Sequence, residues 1–385
     1  MDIYDFVLSH EHEDINRLLL QKHTDIDIKW AVQQIEGRKI AKYKLPFFYA
    51  HRNIHYPKKI SLEQCSSELT AKYKASLVQE NTFIDLTGGF GIDTVFCAKN
   101  FKKAIYIEQN PDLVTIFTHN LAVLSIQNIE VYCTDALSFL QQDTNVYSWL
   151  YVDPARRNNL GNKVFLLSDC EPNIITHWNL ITQKAKNILI KTSPLLDIKH
   201  VWQNLPVTAT HIVAVKNEVK EVLYLIEQGK NISGNIRCVN ITESECKTFT
   251  ANLYDEQNIQ IQYAFPQKYL YEPNKAILKA GLFKAVAQQY SLYKIAPNSH
   301  LYTSQEYIGH FMGRIFEVKK VIPYHKKAFQ EFNSTSFNII ARNFSDTPEQ
   351  IAKKLAVRTG GETEYIIATK DNQQKAILIL AQRLH

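Results

Sequence analysis

Three acidic residues stand at the ends of three successive predicted strands, an arrangement that can grip a ligand carrying an amino group and a nucleoside. The first lies in Phe83-Ile84-Asp85-Leu86-Thr87-Gly88-Gly89-Phe90-Gly91-Ile92-Asp93-Thr94, where a strand runs into a glycine-rich turn that opens a helix. Glycines let the backbone approach a ligand closely, and the helix amino end offers N–H donors and positive potential to a carboxylate. Asp85 can hold an amino group there, directly or through water. Glu108, followed by Gln109, closes the next strand 23 residues after Asp85, where a carboxylate can take both hydroxyls of a ribose. Asp135, in Cys133-Thr134-Asp135-Ala136, follows the third strand and can meet an adenine amino group. Turn and acids together describe the parts of S-adenosylmethionine. The candidate cofactor set is therefore Asp85, Thr87, Gly88, Gly89, Gly91, Asp93, Thr94, Glu108, Gln109, Asp135 and Ala136. A nicotinamide dinucleotide is the alternative ligand, since it uses a similar turn and second acid, but Thr87 stands where its first glycine belongs.

A second constellation lies at the end of the fourth predicted strand, in Tyr151-Val152-Asp153-Pro154-Ala155-Arg156-Arg157. Ligands of open α/β sheets sit beyond the carboxyl ends of the strands, so Asp153 faces the place where a sulfonium methyl would lie. Nucleic-acid N-methyltransferases put Asp or Asn, two prolines and an aromatic here, so that oxygens accept from an amino group while the ring stacks on the base. This chain has Arg where the aromatic belongs. Pro154, Arg156 and Arg157 are the candidate substrate contacts, the arginines able to hold a phosphate or carboxylate bidentately. The fifth strand ends Ile190-Lys191-Thr192-Ser193-Pro194, which puts Lys191 beside Asp153 in the usual strand order. Asp153 and Lys191 are the candidate catalytic residues. With Glu221 and one of Lys74, Lys72 or Lys42 they resemble the Lys-Asp-Lys-Glu tetrad of RNA ribose 2′-O-methyltransferases, in which a lysine near acids activates the ribose hydroxyl. Methyl transfer to an atom that is already nucleophilic needs only in-line positioning, so a mechanism without a base stands beside this one.

The elements that must position these residues read as an α/β chain. Seven short apolar segments separated by helix-length stretches predict a Rossmann-like sheet: 83–87, 104–108, 129–133, 149–153, 187–192, 210–215 and 222–226. Before them the spacing predicts helices over 27–44 and 61–78, the second opened by a Ser61/Gln64 capping box. After Gly229 the alternation fades into a polar connection with a boundary near 262. A helix over 274–290 flanked by extended pieces follows. Then come a strand at 336–344, a helix at 347–357 with Pro348 in its first turn, and strands at 364–369 and 375–382. The division is an N-terminal helical region at 1–80, the sheet domain at 81–262, and two small α+β domains at 263–312 and 313–385.

Composition narrows the class. A 385-residue chain is expected to form more than one core, and 45% apolar with 21% charged residues is ordinary for a globular protein. No stretch approaches eighteen apolar residues and the acidic start does not read as a secretory signal, so the expectation is a cytoplasmic protein off the membrane. The six cysteines form no Cys-x-x-Cys pair, and His10 and His12 fall on different helix faces, so no metal site is expected. His51 and His55, interleaved with Tyr49, Arg52 and Tyr56, read as a cover over the cofactor or as packing against the sheet domain. Net charge is +6, and from Phe311 onward 12 Lys and Arg face 7 Asp and Glu. Such a basic module suits a polyanion, because phosphate contacts release condensed counterions.

The segments EQCSSELTAKYKASL at 63–77, DLTGGFGIDT at 85–94, VDPARR at 152–157, KTSPLLDI at 191–198, YEPNKAILKAG at 271–281 and PNSHLYTS at 297–304 resemble a bacterial group of class I methyltransferases with a ferredoxin-like insert and a C-terminal THUMP-like domain. The glycine turn is also similar to that of trimethylguanosine synthases. The resemblance implies a methyltransferase using S-adenosylmethionine, and because THUMP domains bind tRNA acceptor ends or other RNA, it implies RNA as the partner, tRNA ahead of rRNA. A protein or small-molecule acceptor, and an RNA-binding module without activity, are the competing expectations.

Overall fold

The computed structural model describes residues 2–20, 26–156, 166–325 and 336–384, with Arg156 given by its backbone. The chain divides into two compact units, one of 1–208 with 221–232, the other of 209–220 with 233–385.

In the first unit, helices Ile3–Ser9, Ile15–Leu20 and Ile28–Lys44 pack through Phe6, Val7, Leu18, Ala31, Val32 and Ile35. Asp27 caps the longest of them, accepting from the Trp30 amide at 3.1 Å. The next helical stretch is divided: Lys59–Gln64 ends at Cys65, and Ser67 caps Glu68–Ala75 by accepting from the Thr70 amide. The single helix expected over 61–78 is thus broken where the Ser67 hydroxyl accepts from a backbone amide as a cap, while the Ser66 hydroxyl donates to Asp93. That break turns Ser66 inward.

The sheet of this unit follows: β1 (Glu80–Asp85), β2 (Phe101–Glu108), β3 (Ile129–Cys133) and β4 (Tyr147–Val152), then strands Ala185–Thr192 and Glu218–Glu227. Side by side the order is β3, β2, β1, β4, 185–192 and 218–227, all parallel save the last. β1 therefore sends its chain to β2 on one side and receives β4 on the other, the reversal of winding at which such sheets open a crevice. Burial explains the central strands: every residue of β4 is buried, as a strand covered on both faces requires.

In the second unit, strand Ala209–Val215 runs parallel to Asn235–Ile241, which pairs antiparallel with Cys246–Asn252. The polar connection expected after Gly229 is thus two strands: Ile236 and Cys238, with Phe249 opposite Cys238, are buried on one face, and Val239 and Ile241 are buried on the other. A second sheet orders its strands 293–294, 302–304, 269–273, 313–323, 376–383, 364–370, 336–341 and 358–359. The helix expected over 274–290 is two, Lys275–Ala280 and Phe283–Gln289, parted at Gly281. Helix Pro348–Leu355 opens with a Thr347/Gln350 capping box and lays Ile351, Ala352 and Leu355 on the sheet. Glu272, 4% exposed, accepts from Arg314 at 2.5 Å and from Arg342 at 2.7 Å, tying three strand ends together.

Candidate functional site

Beyond the carboxyl ends of β1, β2 and β4 lies a cavity of about 390 Å³. Asp85, Thr87, Gly88, Gly89, Gly91, Asp93, Glu108, Gln109, Asp135, Ala136, Asp153 and Lys191 all line it. The acids at the three strand ends thus face one space.

The turn after β1 is built from inside. The Gly91 amide donates to the Gly88 carbonyl at 2.8 Å, and the Gly88 amide to Ile107 at 2.8 Å. Gly91 has φ +81, and a Cβ on it would stand 2.1 Å from the Phe117 ring. Gly89 has φ +56 and nothing nearer its missing Cβ than the Thr87 carbonyl at 3.8 Å, so its bare side is open. Its amide donates to Glu108 Oε2 at 2.9 Å, and Asn110 donates to Oε1 at 2.9 Å, which fixes the second acid against the turn. Asp135 caps helix Ala136–Gln142 by accepting from the Ser138 amide at 2.8 Å, leaving its other oxygen unengaged by that bond.

Asp85 is 1% exposed and accepts from the Thr87 amide at 2.9 Å and the Thr94 hydroxyl at 2.6 Å. Burial pushes its carboxyl up to about 7, against the pull of those two donors. A cationic amino group is the partner such an acid lacks, so the cradle fits the methionine end of S-adenosylmethionine, with Glu108 placed for hydroxyls and Asp135 for an adenine edge. Thr94 and Thr87 support this cradle from behind: Thr94 is buried, and the Thr87 hydroxyl also receives the Asp153 amide at 2.7 Å.

The register of β4 with 185–192 pairs Val152 with Ile190, which brings Lys191 to Asp153, and its ammonium donates to Asp153 Oδ2. Asp153 keeps 35% of its side chain exposed to the cavity and Lys191 12%. Lys74 completes the neighbourhood. It is wholly buried and donates to both Glu221 oxygens at 2.7 Å and to Ser66 Oγ at 3.1 Å, with Asp93 Oδ1 at 3.2 Å. Asp93 Oδ2 accepts from Ser66 and from the Tyr151 hydroxyl, each at 2.7 Å. Lys72, by contrast, points out to Glu68 at 2.6 Å, and Lys42 lies over the Tyr43 ring. Burial opposes charge on Lys191, yet Asp153, Asp93 and Glu221 outweigh it and hold the ammonium above the ordinary lysine range. Burial likewise opposes charge on Asp93, but Lys74 and Lys191 keep it below the usual carboxylate range.

Pro154 is buried, Ala155 reaches the cavity, Arg156 is described by its backbone in a two-residue strand paired with Cys170–Glu171, and Arg157 lies outside the described residues. Ser61 and Gln64, expected as a capping box, lie instead within helix Lys59–Gln64, whose N-cap is Lys58, and they line the cavity together with Cys65, Ser66, Asn173 and His177, none of which was expected at the site. Ser67 as a helix cap was the one signal that could have located Ser66. Burial pushes the Cys65 thiol up to about 11, so it stays protonated. The aromatic stretch near His51 packs away from the cavity: His55 accepts or donates with Tyr4 at 2.8 Å and stacks on His119 at 3.6 Å, and Tyr56 is buried. Among the described residues no group of His, Cys, Asp and Glu could hold a metal, and no helix is long and apolar enough to cross a membrane.

Residues 269–311 match a ferredoxin-like domain family and residues 313–383 a THUMP domain-like family. The chain is similar to a crystal structure of a Porphyromonas gingivalis W83 protein assigned as a methyltransferase, with TM-score 0.89 and 30% identity over 100% of this chain and 98% of that one. It is also similar to an uncharacterized S-adenosylmethionine-dependent methyltransferase of Mycobacterium tuberculosis, 21% identical over 302 residues, 77% of this chain and 80% of the relative.

Proposed function

This chain belongs to the bacterial class I S-adenosylmethionine-dependent methyltransferases that carry a ferredoxin-like domain and a C-terminal THUMP-like domain, and from that premise we propose that the group it methylates is on RNA, with tRNA favoured over rRNA. The observation that carries the reading is the THUMP-like match over 313–383, in the stretch where basic residues outnumber acidic ones. A neutral enzyme with a basic module is built for a polyanion that the module holds while the catalytic unit acts on it.

The cofactor supplies an electrophilic methyl on a sulfonium. In this reading Asp85 binds its amino group, the turn of Gly88, Gly89 and Gly91 its carboxylate, Glu108 with Gln109 its ribose, and Asp135 with Ala136 its adenine. Thr87, Asp93 and Thr94 hold the cradle. Asp153 and Pro154 position the acceptor, Arg156 and Arg157 orient a phosphate, and Lys191 stands beside the reacting atom. A protein working on RNA in this way acts in the cytoplasm.

The test is incubation of the full chain with radiolabelled methyl donor and total RNA from a strain lacking the gene, each RNA class then being separated. Label in tRNA is the expected result. Label only in protein or in small molecules overturns the RNA assignment, and label in rRNA alone overturns the preference.

A further inference from the structure

The catalytic unit carries a basic stretch that the donor cradle does not use. From Lys39 to Leu62 stand Lys39, Lys42, Lys44, Arg52, Lys58 and Lys59, and no acidic residue. Some of these charges are answered close by: Arg52 meets Asp5 and Asp2, Lys39 donates to the Glu13 carbonyl at 2.7 Å, and Lys59 lies 4.0 Å from Glu63. Lys42 and Lys58 are exposed, and among the described residues neither forms an ion pair with a carboxylate. Lys44 donates to the carbonyls of Leu62 and Glu63 at 2.7 and 2.8 Å, which ties the end of helix Ile28–Lys44 to helix Lys59–Gln64.

That short helix is part of the cavity's rim. Ser61, Gln64 and Cys65 line the cavity, and Gln64 is at the same time exposed to solvent. Two apolar side chains stand out of the protein beside the lysines: Tyr43 is 83% exposed, with the Lys42 ammonium 5.9 Å from its ring centre, and Ile60, next to Ser61, is 62% exposed.

Resting on the RNA reading, we propose that this rim is a second RNA contact, where unpaired nucleotides beside the acceptor place a base on Tyr43 and phosphates along Lys42, Lys58 and Lys59. A lone exposed ring is ordinary protein surface. A ring set in a run of cations without acids is what a single strand uses, because every base offers a face for stacking and every phosphate a charge for a lysine. The acceptor nucleotide must leave its stack to reach Asp153 inside the cavity. Its neighbours then emerge unpaired at the mouth, and Ile60 covers apolar surface that they expose.

The experiment is ultraviolet irradiation of the full chain with total RNA from a strain lacking the gene, followed by mass spectrometry of nucleotide-bearing peptides, with methylation of the same RNA measured alongside. A nucleotide on the peptide that holds Tyr43 is expected. Crosslinks confined to other parts of the chain overturn the rim contact and leave the RNA reading standing. A chain that neither crosslinks to RNA nor labels it, but labels an acidic protein, overturns both. Tyr43→Ala is expected to raise KM for the RNA about tenfold, with kcat at saturating RNA and donor affinity within about twofold, and Tyr43→Phe to restore KM. Changing Lys42, Lys58 and Lys59 to Gln is expected to flatten the log–log salt dependence of RNA binding by about two, at roughly 0.7 for each single-strand phosphate. An unchanged KM with an unchanged slope would overturn the contact.

Discussion

The ammonium of Lys74 lies 2.7 Å from each carboxylate oxygen of Glu221, across 147 residues of chain, with none of the lysine exposed. Buried ion pairs repay their desolvation poorly, and an apolar replacement of both partners is often neutral for stability. Removing one partner is another matter. Lys74→Met is expected to cost about 3–5 kcal/mol, because Glu221 and Asp93 lose their shared cation. The double variant Lys74→Met with Glu221→Leu recovers much of that loss in thermal or denaturant unfolding. Its methyl transfer stays depressed, because Lys191 has lost one of its three carboxylates. Full recovery of both stability and turnover would reduce the pair to packing.

Asp85 gives a pH dependence with an unusual sign. Burial raises its folded value to about 7 from an ordinary 3.8, so the folded apoprotein binds a proton that the unfolded chain releases between those limits. Stability of the apoprotein therefore rises as pH falls from about 7 towards 4 as far as this group is concerned, the reverse of a salt-bridged aspartate. Cofactor affinity moves the other way, since the amino group needs the ionised form: it is full above about pH 7 and falls up to about tenfold per unit below. Asp85→Asn removes both slopes, raises the neutral-pH melting temperature of the apoprotein, and weakens donor binding by about ten- to a hundredfold, the value of a charge-assisted hydrogen bond. Calorimetric titration across that pH range checks it.

How much of this was written locally decides what could be read. Asp85, Glu108 and Asp135 were visible because each follows a short apolar strand and the glycine turn sits between strand and helix. Lys191 followed from strand order. Lys74 could be named beside Lys72 and Lys42 but not chosen, because only tertiary packing buries one and leaves Lys72 on the surface. Ser66, Asn173 and His177 carry no periodic signal; chain reversals bring them to the cavity. Strands 235–241 and 246–252 read as a polar connection because polar residues interrupt the apolar ones, Asn235, Arg237 and Asn240 in the first and Lys247, Thr248 and Thr250 around the one buried residue, Phe249, in the second.

Two glycines of the turn separate folding from binding. Alanine at Gly91 would combine φ +81 with a Cβ 2.1 Å from Phe117, a ring packed at 4.0 Å from Tyr106. Gly91→Ala is expected to lower stability by several kcal/mol, with donor binding lost as a consequence; overpacking alone costs about 1–3 kcal/mol, and the left-handed backbone about 1–2 more. Gly89 has φ +56 but open space around it. Gly89→Ala is expected to cost only the backbone share, about 1–2 kcal/mol, and yet to weaken the donor at least tenfold, because the new methyl occupies the side from which a carboxylate approaches. Chemical denaturation beside calorimetry resolves the two. Equal affinity for Gly89→Ala and the unaltered chain would move the ligand away from this turn.

Lys353, Arg358 and Lys375 are exposed in the THUMP-like region and far along the chain from the cavity residues. If phosphates are what this region holds, each charge that meets one releases a counterion, and removing it makes the fall of affinity with salt shallower by about one in the log–log slope. Changing all three to Gln is expected to weaken RNA binding roughly tenfold or more at low salt, to flatten the slope by up to about three, and to leave donor affinity untouched, since none of the three lines the cavity. Filter binding at several salt concentrations measures the slope, and calorimetry the donor. An unchanged slope would mean that the basic excess of this region is ordinary solvated surface, and the grip on RNA would then have to come from elsewhere on the chain.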